Sequence, residues 1–308
     1  MDFLKFLEGL RTPILDSFFS IITYFGDEVL FIVIGLLFFW CIDKKKGYYI
    51  LSVGLLGTVI NQFLKLVFRI PRPWVLDPDF KIVESAREAA TGYSFPSGHT
   101  QSSVGMFSSI FLGAKKNWLK IVCIVLMVLV PFSRLYLGVH TPLDVSASFI
   151  IALILAFGLY PVFEKGSKNT IRILFGLMIL FDICFLIYVH TYNFPNDIDV
   201  TNLTGGIENG YKMLGCMLGL WCAYETDMKF TKFETKAPIY IQILKFILGL
   251  IPVILIKSFL KNPLYALIGN EFIADGIRYL LICLFAGTLW PMTFKYFNKL
   301  FCKKHLDK

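Results

Sequence analysis

The sequence predicts an all-α, polytopic membrane protein in which transmembrane helices form a bundle. Hydrophobic residues make up 56% of the 308 residues and charged residues only 17%, and the mean hydropathy is +0.67. An ordinary soluble domain is less apolar and more highly charged than this. Mostly apolar runs of about 18 to 25 residues recur along the chain, and a helix of that length crosses a bilayer.

The chain begins with an amphipathic pattern. Apolar side chains recur at helical spacing, at Phe3, Leu7, Leu10, Ile14, Phe18 and Ile21. Charged residues occupy the other faces, so we expect one N-terminal amphipathic helix in the membrane interface. A secretory signal peptide begins with a positively charged segment, whereas this segment carries Asp2 and Glu8, which argues against a cleaved signal peptide.

About nine spans are expected to follow. We place them at roughly residues 29–41, 48–68, 100–113, 118–134, 142–163, 171–190, 206–223, 240–259 and 273–297. Residues 71–95 are rich in Pro, Asp, Glu and Arg and are predicted to form a loop with a short helix at 83–90. The seven cysteines lie mostly in or beside spans, and we interpret them as small buried side chains rather than disulfides or metal ligands.

Charge distribution predicts the orientation of the spans. The net charge of +8 comes from short clusters between apolar runs, a pattern typical of membrane orientation and not of nucleic-acid binding. Most basic residues fall on one side, which we expect to be cytoplasmic: Lys44, Lys45, Lys46, Lys115, Lys116, Lys120, Lys165, Lys168, Arg172, Lys229, Lys232, Lys236, Lys295, Lys299, Lys303, Lys304 and Lys308.

Three polar motifs fall on the opposite, extracytoplasmic side. They lie at the end of the second expected span, the start of the third, and between the fourth and fifth. Ionisable groups beside a bilayer core are costly, so their clustering marks a site. The motif residues are Lys65 and Arg72, then Ser97, Gly98 and His99, then Arg134, His140 and Asp144.

The second and third motifs combine helix starts with histidines. Ser97 is a natural N-cap, and Gly98 lets an anion approach the free N–H groups of the helix that follows. Asp144 is placed to accept a hydrogen bond from one ring nitrogen of His140, which leaves the other nitrogen free to attack. His99 is then available to protonate a leaving oxygen.

The cations complete this chemistry. Lys65, Arg72 and Arg134 supply fixed positive charge around a group whose transition state spreads negative charge over three oxygens. The set suits phosphoryl transfer through a phosphohistidine, without a metal. Each residue also has a structural interpretation, because Lys65 or Arg134 at a span end is commonly an anchoring side chain. The shared spacing favours the functional interpretation.

In order and spacing, these residues resemble the three-part signature of the type-2 phosphatidic acid phosphatase superfamily. Every signature position is matched. The resemblance implies a metal-independent, cofactor-free phosphatase with a six-helix core, in which His140 is the nucleophile, Asp144 its partner and His99 the general acid. It implies that phosphate is bound by Lys65, Arg72, Ser97, Gly98 and Arg134.

We therefore expect a catalytic core with its N-terminal amphipathic helix at residues 1–165, and additional C-terminal transmembrane helices at 166–308. The expected protein is a multi-pass cell-membrane phosphatase that hydrolyses a lipid phosphate or isoprenoid diphosphate on the extracytoplasmic side. Its expected partners are membrane lipids and this substrate, and not nucleic acid. The sequence leaves the oligomeric state open.

Other functions remain open from the sequence. A phosphotransferase or a sugar-phosphate phosphatase would use the same site, and a non-catalytic lipid-binding or transport protein would retain it without turnover. Asp182 lies within an added span, where it is expected either to be protonated or to pair with a cation such as Arg278. His190 and His305 have no comparable neighbours and are expected to be structural or solvated.

Overall fold

The computed structural model describes the backbone of residues 1–88 and 90–302 and the side chains up to residue 297, apart from residue 89. This part of the chain is all-helical, which confirms the predicted fold class. Lys303, Lys304, His305 and Lys308 lie outside the described residues. The α-helices are α1 Asp2–Gly9, α2 Pro13–Thr23, α3 Glu28–Leu37, α4 Lys44–Phe68, α5 Pro73–Leu76, α6 Gly98–Gly113, α7 Asn117–Tyr136, α8 Pro142–Lys165, α9 Lys168–Thr191, α10 Val200–Thr226, α11 Ile239–Phe259, α12 Lys261–Ile268, α13 Glu271–Leu284 and α14 Trp290–Cys302.

Short segments of other helix types interrupt this series. Single 3₁₀ turns lie at Tyr24–Gly26 and Glu84–Ala86, the second within the expected loop helix at 83–90. Segments of π-helix extend α3 at Phe38–Ile42, extend α10 at Asp227–Thr231 and join α13 to α14 at Phe285–Leu289.

Six helical stretches in the described residues are long and apolar enough to cross a membrane: Lys44–Leu76, Asn117–Tyr136, Pro142–Lys165, Lys168–Thr191, Ile239–Phe259 and Glu271–Phe297. A seventh is possible if the pair Pro13–Gly26 and Glu28–Ile42, bent by 50°, counts as one span. This is fewer than the nine expected. Helix α6 has only 16 residues, and α10 carries Glu208 and Lys212 in its first half.

The N-terminal amphipathic helix is two helices, which corrects the prediction of one. The chain breaks between α1 and α2, where the Thr12 hydroxyl accepts the Leu15 N–H and Pro13 takes the first helical position. Proline at that position starts a helix, because its missing N–H would have no partner there anyway. Of the expected apolar stripe, Leu7 is buried and Ile14 is 82% exposed.

The chain divides into two compact units. The first comprises residues 1–33, 49–165 and 191–206, and the second comprises residues 34–48, 166–190 and 207–308. In the first unit α6 packs against α7 and α8, and α2 packs against α7. Polar residues of α6 such as Gln101 and Ser103 are buried there.

An apolar cluster in the first unit supports the loop that carries His140. It joins α1 and α2 to the loop after α5 and to the end of α7, and contains Leu4, Phe19, Phe80, Ile82, Ala86, Ala90, Tyr136, Leu137 and Val139. Hydrogen bonds tie the same elements together: Val83 N–H donates to Leu137 O at 3.1 Å, and Arg11 Nε donates to Tyr136 O at 3.1 Å. The N-terminal helices thus brace the segment between α7 and α8.

The second unit has its own buried polar contacts. Lys44 Nζ lies 2.7 Å from Asp227 Oδ2. Arg278 pairs with Asp275 at 2.6 Å, so of the two alternatives for Asp182 the pairing with Arg278 is not found. Asp182 is fully buried in α9, and neither of its carboxylate oxygens has a hydrogen-bond partner among the described residues.

Candidate active site

The three motifs meet around one cavity of about 340 Å³ in the first unit. Six of the eight expected site residues line it: Lys65, Arg72, Gly98, His99, Arg134 and His140. The other two, Ser97 and Asp144, are fully buried and lie within four positions of Gly98 and His140 in the chain. The structure therefore brings together residues that are up to 79 positions apart in the sequence, the separation of Lys65 and Asp144.

Asp144 is held rigidly behind His140. Helix α8 starts at Pro142 after Thr141, whose hydroxyl accepts the Asp144 N–H at 3.4 Å, so Thr141 caps the helix as expected. Asp144 Oδ2 accepts the Thr141 N–H at 2.7 Å and the Ser94 hydroxyl at 2.6 Å. The same oxygen lies 3.5 Å from His140 Nδ1.

Arg72 contacts the other side of the His140 ring. Its Nη1 lies 2.9 Å from His140 Nε2 and 3.5 Å from Nδ1. A guanidinium only donates hydrogen bonds, so the closer nitrogen, Nε2, must present its lone pair. The ring proton is then on Nδ1, facing Asp144. This tautomer leaves Nε2 as the nucleophilic atom of the ring.

Arg72 itself is fixed by backbone oxygens. It donates to Gly92 O through Nε, to Val139 O through Nη1 and to Thr91 O through Nη2, at 2.9, 2.9 and 2.5 Å. Lys65 Nζ binds the same loop, donating to Tyr93 O at 2.7 Å and to Thr91 O at 3.5 Å. The loop before α6 therefore orients both cations toward the cavity.

Arg134 is fully buried at the end of α7. Its Nη1 donates to the Thr23 hydroxyl at 2.7 Å. Its Nε and Nη2 have no hydrogen-bond partner among the described residues. Two buried donors of one guanidinium, side by side on a cavity wall, match the geometry with which arginine binds a phosphate through two oxygens.

The start of α6 forms another wall. Ser97 caps the helix as expected, since its hydroxyl accepts the Thr100 N–H at 3.4 Å. A side chain at Gly98 would meet only Asn61 Oδ1, at 3.9 Å, so the space beside this helix start is open. His99 follows in the first turn and lines the cavity. A helix N-terminus with this space is suited to an anion.

Burial and neighbouring charge determine the protonation of His140, which lies in the segment between α7 and α8. Burial of the ring, followed by the charges of Arg72, Arg134 and Lys65, holds the pKa of His140 well below its usual range. His140 is therefore neutral at neutral pH, the state that a nucleophilic imidazole needs.

Several site residues were missed from the sequence. Ser94, which binds Asp144, stands just before the Phe95-Pro96-Ser97 segment, but nothing in its local sequence indicates a partner 50 residues away. Asp27, Glu28 and Gln101 also line the cavity. An acidic pair at the start of an apolar run was the signal that could have identified Asp27 and Glu28.

His190 and the cysteines whose side chains are described lie outside the cavity. His190 lies in the second unit with its Nε2 3.2 Å from the Tyr211 hydroxyl. Within the described residues, no group of three or more His, Cys, Asp or Glu side chains is arranged to hold a metal ion. The six cysteines whose side chains are described form no disulfide.

A helical membrane bundle with a neutral histidine facing three cations defines a class of protein, the membrane phosphatases. Comparison with known sequences gives the same class and assigns it to one superfamily. Residues 45–168 match the PAP2 superfamily, and residues 211–303 match the PAP2 superfamily phosphatase transmembrane extension. The chain belongs to the PAP2 superfamily, and it is a phosphoric ester hydrolase of that type.

Individual relatives share this activity. The chain is 29% identical over 163 residues to undecaprenyl-diphosphatase BcrC of Bacillus subtilis, covering 51% of this chain and 80% of that protein. It is 24% identical over 271 residues to sphingosine-1-phosphate phosphatase 1 of Mus musculus, covering 79% of this chain and 59% of that protein. It is 25% identical over 298 residues to a dihydrosphingosine 1-phosphate phosphatase of Schizosaccharomyces pombe, covering 90% of this chain and 69% of that protein.

The chain thus spans less than two thirds of the mouse relative. Among solved structures, the crystal structure of Aquifex aeolicus LpxE is similar, with a TM-score of 0.45 and 27% identity over 51% of this chain and 91% of that one.

Proposed function

We propose that this protein hydrolyses the phosphate of an amphiphilic ester or diphosphate on the extracytoplasmic side of the membrane, through a phosphohistidine formed on His140. The observation that carries the proposal is the orientation of His140. Its Nδ1 faces Asp144 Oδ2 at 3.5 Å, and its Nε2 faces the cationic cavity. A neutral imidazole held in this tautomer is a nucleophile directed at a bound phosphate.

In the first step, His140 Nε2 attacks phosphorus and the bond from phosphorus to the leaving oxygen breaks. Burial and the charges of Arg134, Arg72 and Lys65 lower the pKa of His99. The negative charge of the bound phosphate offsets these cations, so His99 carries a proton in the complex and gives it to that oxygen, and the alcohol leaves neutral. When the phosphate binds, one of its oxygens takes the hydrogen bond that Arg72 Nη1 donates to His140 Nε2. Other phosphate oxygens accept from the two unpartnered donors of Arg134. Asp144 stabilises the positive charge that develops on the ring.

In the second step, a water attacks phosphorus and the bond to Nε2 breaks. His99 accepts the water proton, which returns both histidines to their starting states. Lys65 and Arg72 remain fixed by the carbonyls of residues 91–93 throughout, so their positive charge needs no reorganisation when the transition state forms.

The proposed side of the membrane rests on charge. The cavity residues lie at the end of α4, the start of α6 and the segment between α7 and α8. The clusters of basic residues lie at the opposite ends of these helices, for example Lys44–Lys46 at the start of α4. Clustered lysines mark the cytoplasmic ends of spans. An intact-cell assay with a membrane-impermeant short-chain phosphate ester is expected to show turnover without lysis.

The relatives support a lipid substrate. Those compared act, by name, on undecaprenyl diphosphate or on sphingoid phosphates. Both classes join a long apolar chain to a phosphate, and both suit a cavity at the ends of apolar helices. We propose a substrate of this kind for this chain.

Phosphate release from the purified protein in detergent or nanodiscs tests the proposal. The substrates are a sphingoid phosphate, an isoprenoid diphosphate and phosphatidic acid. We expect release that is inhibited by vanadate and unaffected by a chelator. His140→Asn is expected to abolish turnover while the thermal unfolding temperature is kept. His190→Asn, in the second unit, is the matched control and is expected to turn over at the normal rate.

Substantial activity in His140→Asn would overturn the assignment of the nucleophile. Absence of release by the wild-type protein with every lipid phosphate would instead favour a binding or transport protein. Adding an acceptor alcohol distinguishes hydrolysis from transfer, because a transferase is expected to give a new phosphate ester as its main product.

A further inference from the structure

The cavity has two chemically different walls. Lys65, Arg72 and Arg134 place positive charge at one part of it. The residues that line it also include Asp27, Glu28 and Gln101. We call these three residues the acceptor wall. A site that bound only phosphate would gain nothing from two carboxylates, because they repel an anion.

The acceptor wall lies beside the residue that is proposed to protonate the leaving group. Gly26 packs so closely on His99 that a Cβ at residue 26 would lie 2.7 Å from His99 O. Asp27 and Glu28 follow Gly26 directly, and Gln101 lies two residues after His99 in α6. The alcohol portion of the substrate, which leaves toward His99, therefore meets these acceptors.

Gln101 provides the independent sign of a ligand. The residue is 5% exposed, and its Oε1 is buried with no hydrogen-bond partner among the described residues. Leaving a buried acceptor unsatisfied costs about 1 to 3 kcal/mol, so this acceptor, on a residue that lines the cavity, calls for a donor. Asp27 Oδ1 already accepts the Val29 N–H at 2.7 Å, which fixes that carboxylate at the start of α3.

Charge distinguishes the candidate substrates. A phosphomonoester places its negative charge at the cationic wall alone. A diphosphate has a second phosphate on the side of the leaving group, where it would face Asp27 and Glu28. An ammonium group on the alcohol, close to the ester oxygen, would instead form charge-assisted hydrogen bonds there.

We propose that the acceptor wall binds an ammonium group carried next to the ester oxygen, so that the preferred substrate is an amphiphilic amino-alcohol phosphomonoester. This inference rests on the proposed phosphatase function, and it makes Asp27, Glu28 and Gln101 determinants of specificity. Sphingoid phosphates belong to this chemical class, and isoprenoid diphosphates do not.

The test compares three substrates: a long-chain 2-amino-1-alkanol phosphate, the 1-alkanol phosphate of the same length, and an isoprenoid diphosphate. The measured quantity is the ratio of kcat/KM for the amino substrate to that for its amine-free counterpart. We expect this ratio to fall about tenfold in Asp27→Asn/Glu28→Gln, the effect of one charge-assisted hydrogen bond. Gln101→Met, which keeps the side-chain volume, is expected to lower it in the same direction.

Asp79→Asn is the matched control, because Asp79 is an exposed acid on the loop after α5 and does not line the cavity. Its substrate ratio is expected to equal that of the wild type. Asparagine caps helices as well as aspartate does, so Asp27→Asn keeps the start of α3. Product inhibition of the wild type gives a second measurement, in which the amino alcohol is expected to inhibit more strongly than the plain alcohol.

Other outcomes overturn the inference. An unchanged ratio in both variants, or a wild-type preference for the diphosphate, refutes the acceptor wall and leaves the phosphatase function standing. An equal loss with all three substrates would mean that the carboxylates act through His99, and it also refutes the inference. No turnover of any substrate by the wild type would refute the proposed function as well.

Discussion

Gly26→Ala is expected to displace His99, because Gly26 packs directly against its backbone. A Cβ at residue 26 would lie 2.7 Å from His99 O, 2.9 Å from Val130 Cγ1 and 3.0 Å from His99 Cβ. Ordinary contact begins near 3.4 Å, so the first turn of α6 must move by about 0.7 Å against a close-packed interior. The backbone oxygen cannot rotate away as a side chain could.

A displacement of about 1 Å in a catalytic group costs roughly a hundredfold in rate. We therefore expect Gly26→Ala to lower kcat about thirtyfold, with a loss of unfolding free energy of about 1 to 3 kcal/mol from overpacking. The assay is phosphate release by the purified protein at saturating substrate, together with a thermal unfolding curve. Gly158→Ala is the control, because no atom lies within 4 Å of a Cβ built at residue 158 in α8.

Turnover of Gly26→Ala within twofold of the wild type, with an unchanged unfolding temperature, would contradict this prediction. The packing of Gly26 on His99 would then not position the acid. Loss of activity in Gly158→Ala would show that the assay reports general disturbance of the helices.

Three further predictions test other parts of the site. Arg134→Lys is expected to lower kcat/KM about a hundredfold, because lysine cannot replace the two unpartnered donors Nε and Nη2. Arg87→Lys, on the exposed loop, is the kinetic control and is expected to leave kcat/KM unchanged. Ser94→Ala removes the 2.6 Å hydrogen bond to Asp144 Oδ2 and is expected to lower kcat about tenfold. When the two variants are assayed side by side, this loss is expected to be smaller than the loss in Asp144→Asn. Since the pKa of His140 is held well below its usual range, first by burial and then by Arg72, protonation of this ring should not reduce kcat/KM between about pH 7 and about pH 6. In Arg72→Gln the acid limb of the pH profile is expected to move to higher pH, and an unmoved limb would contradict this.

The site could be predicted largely because its motifs are local. Ser97 and Thr141 each cap a helix through the residue three positions further along the chain, and such bonds can be predicted from the sequence. The alternation of spans then indicated that the motifs share one end of the bundle. The family signature gave the same residues.

The parts that were missed depend on contacts distant in sequence. The bond between Ser94 and Asp144 spans 50 positions, and the packing of Gly26 on His99 spans 73. Neither of these contacts produces a periodic pattern in the sequence. The break between α1 and α2 did have a local signal, Thr12 before Pro13, but the apolar periodicity continues across it and favoured one helix.

The number of spans was overestimated for a different reason. Residues 100–113 and 206–223 are helical. The sequence of each segment, considered alone, is a short apolar run. In the structure α6 is surrounded by protein, with Gln101, Ser103 and Ser109 buried. A helix covered by its neighbours need not have the length or the apolar surface of one that faces lipid.

The stereochemical course at phosphorus tests the central claim most directly. A substrate with a chiral, oxygen-isotope-labelled thiophosphate is hydrolysed in labelled water, and the configuration of the product is determined. Attack by His140 followed by attack of water is two in-line displacements, so the account predicts net retention. Net inversion would mean that water attacks the substrate directly, and it would contradict the phosphohistidine.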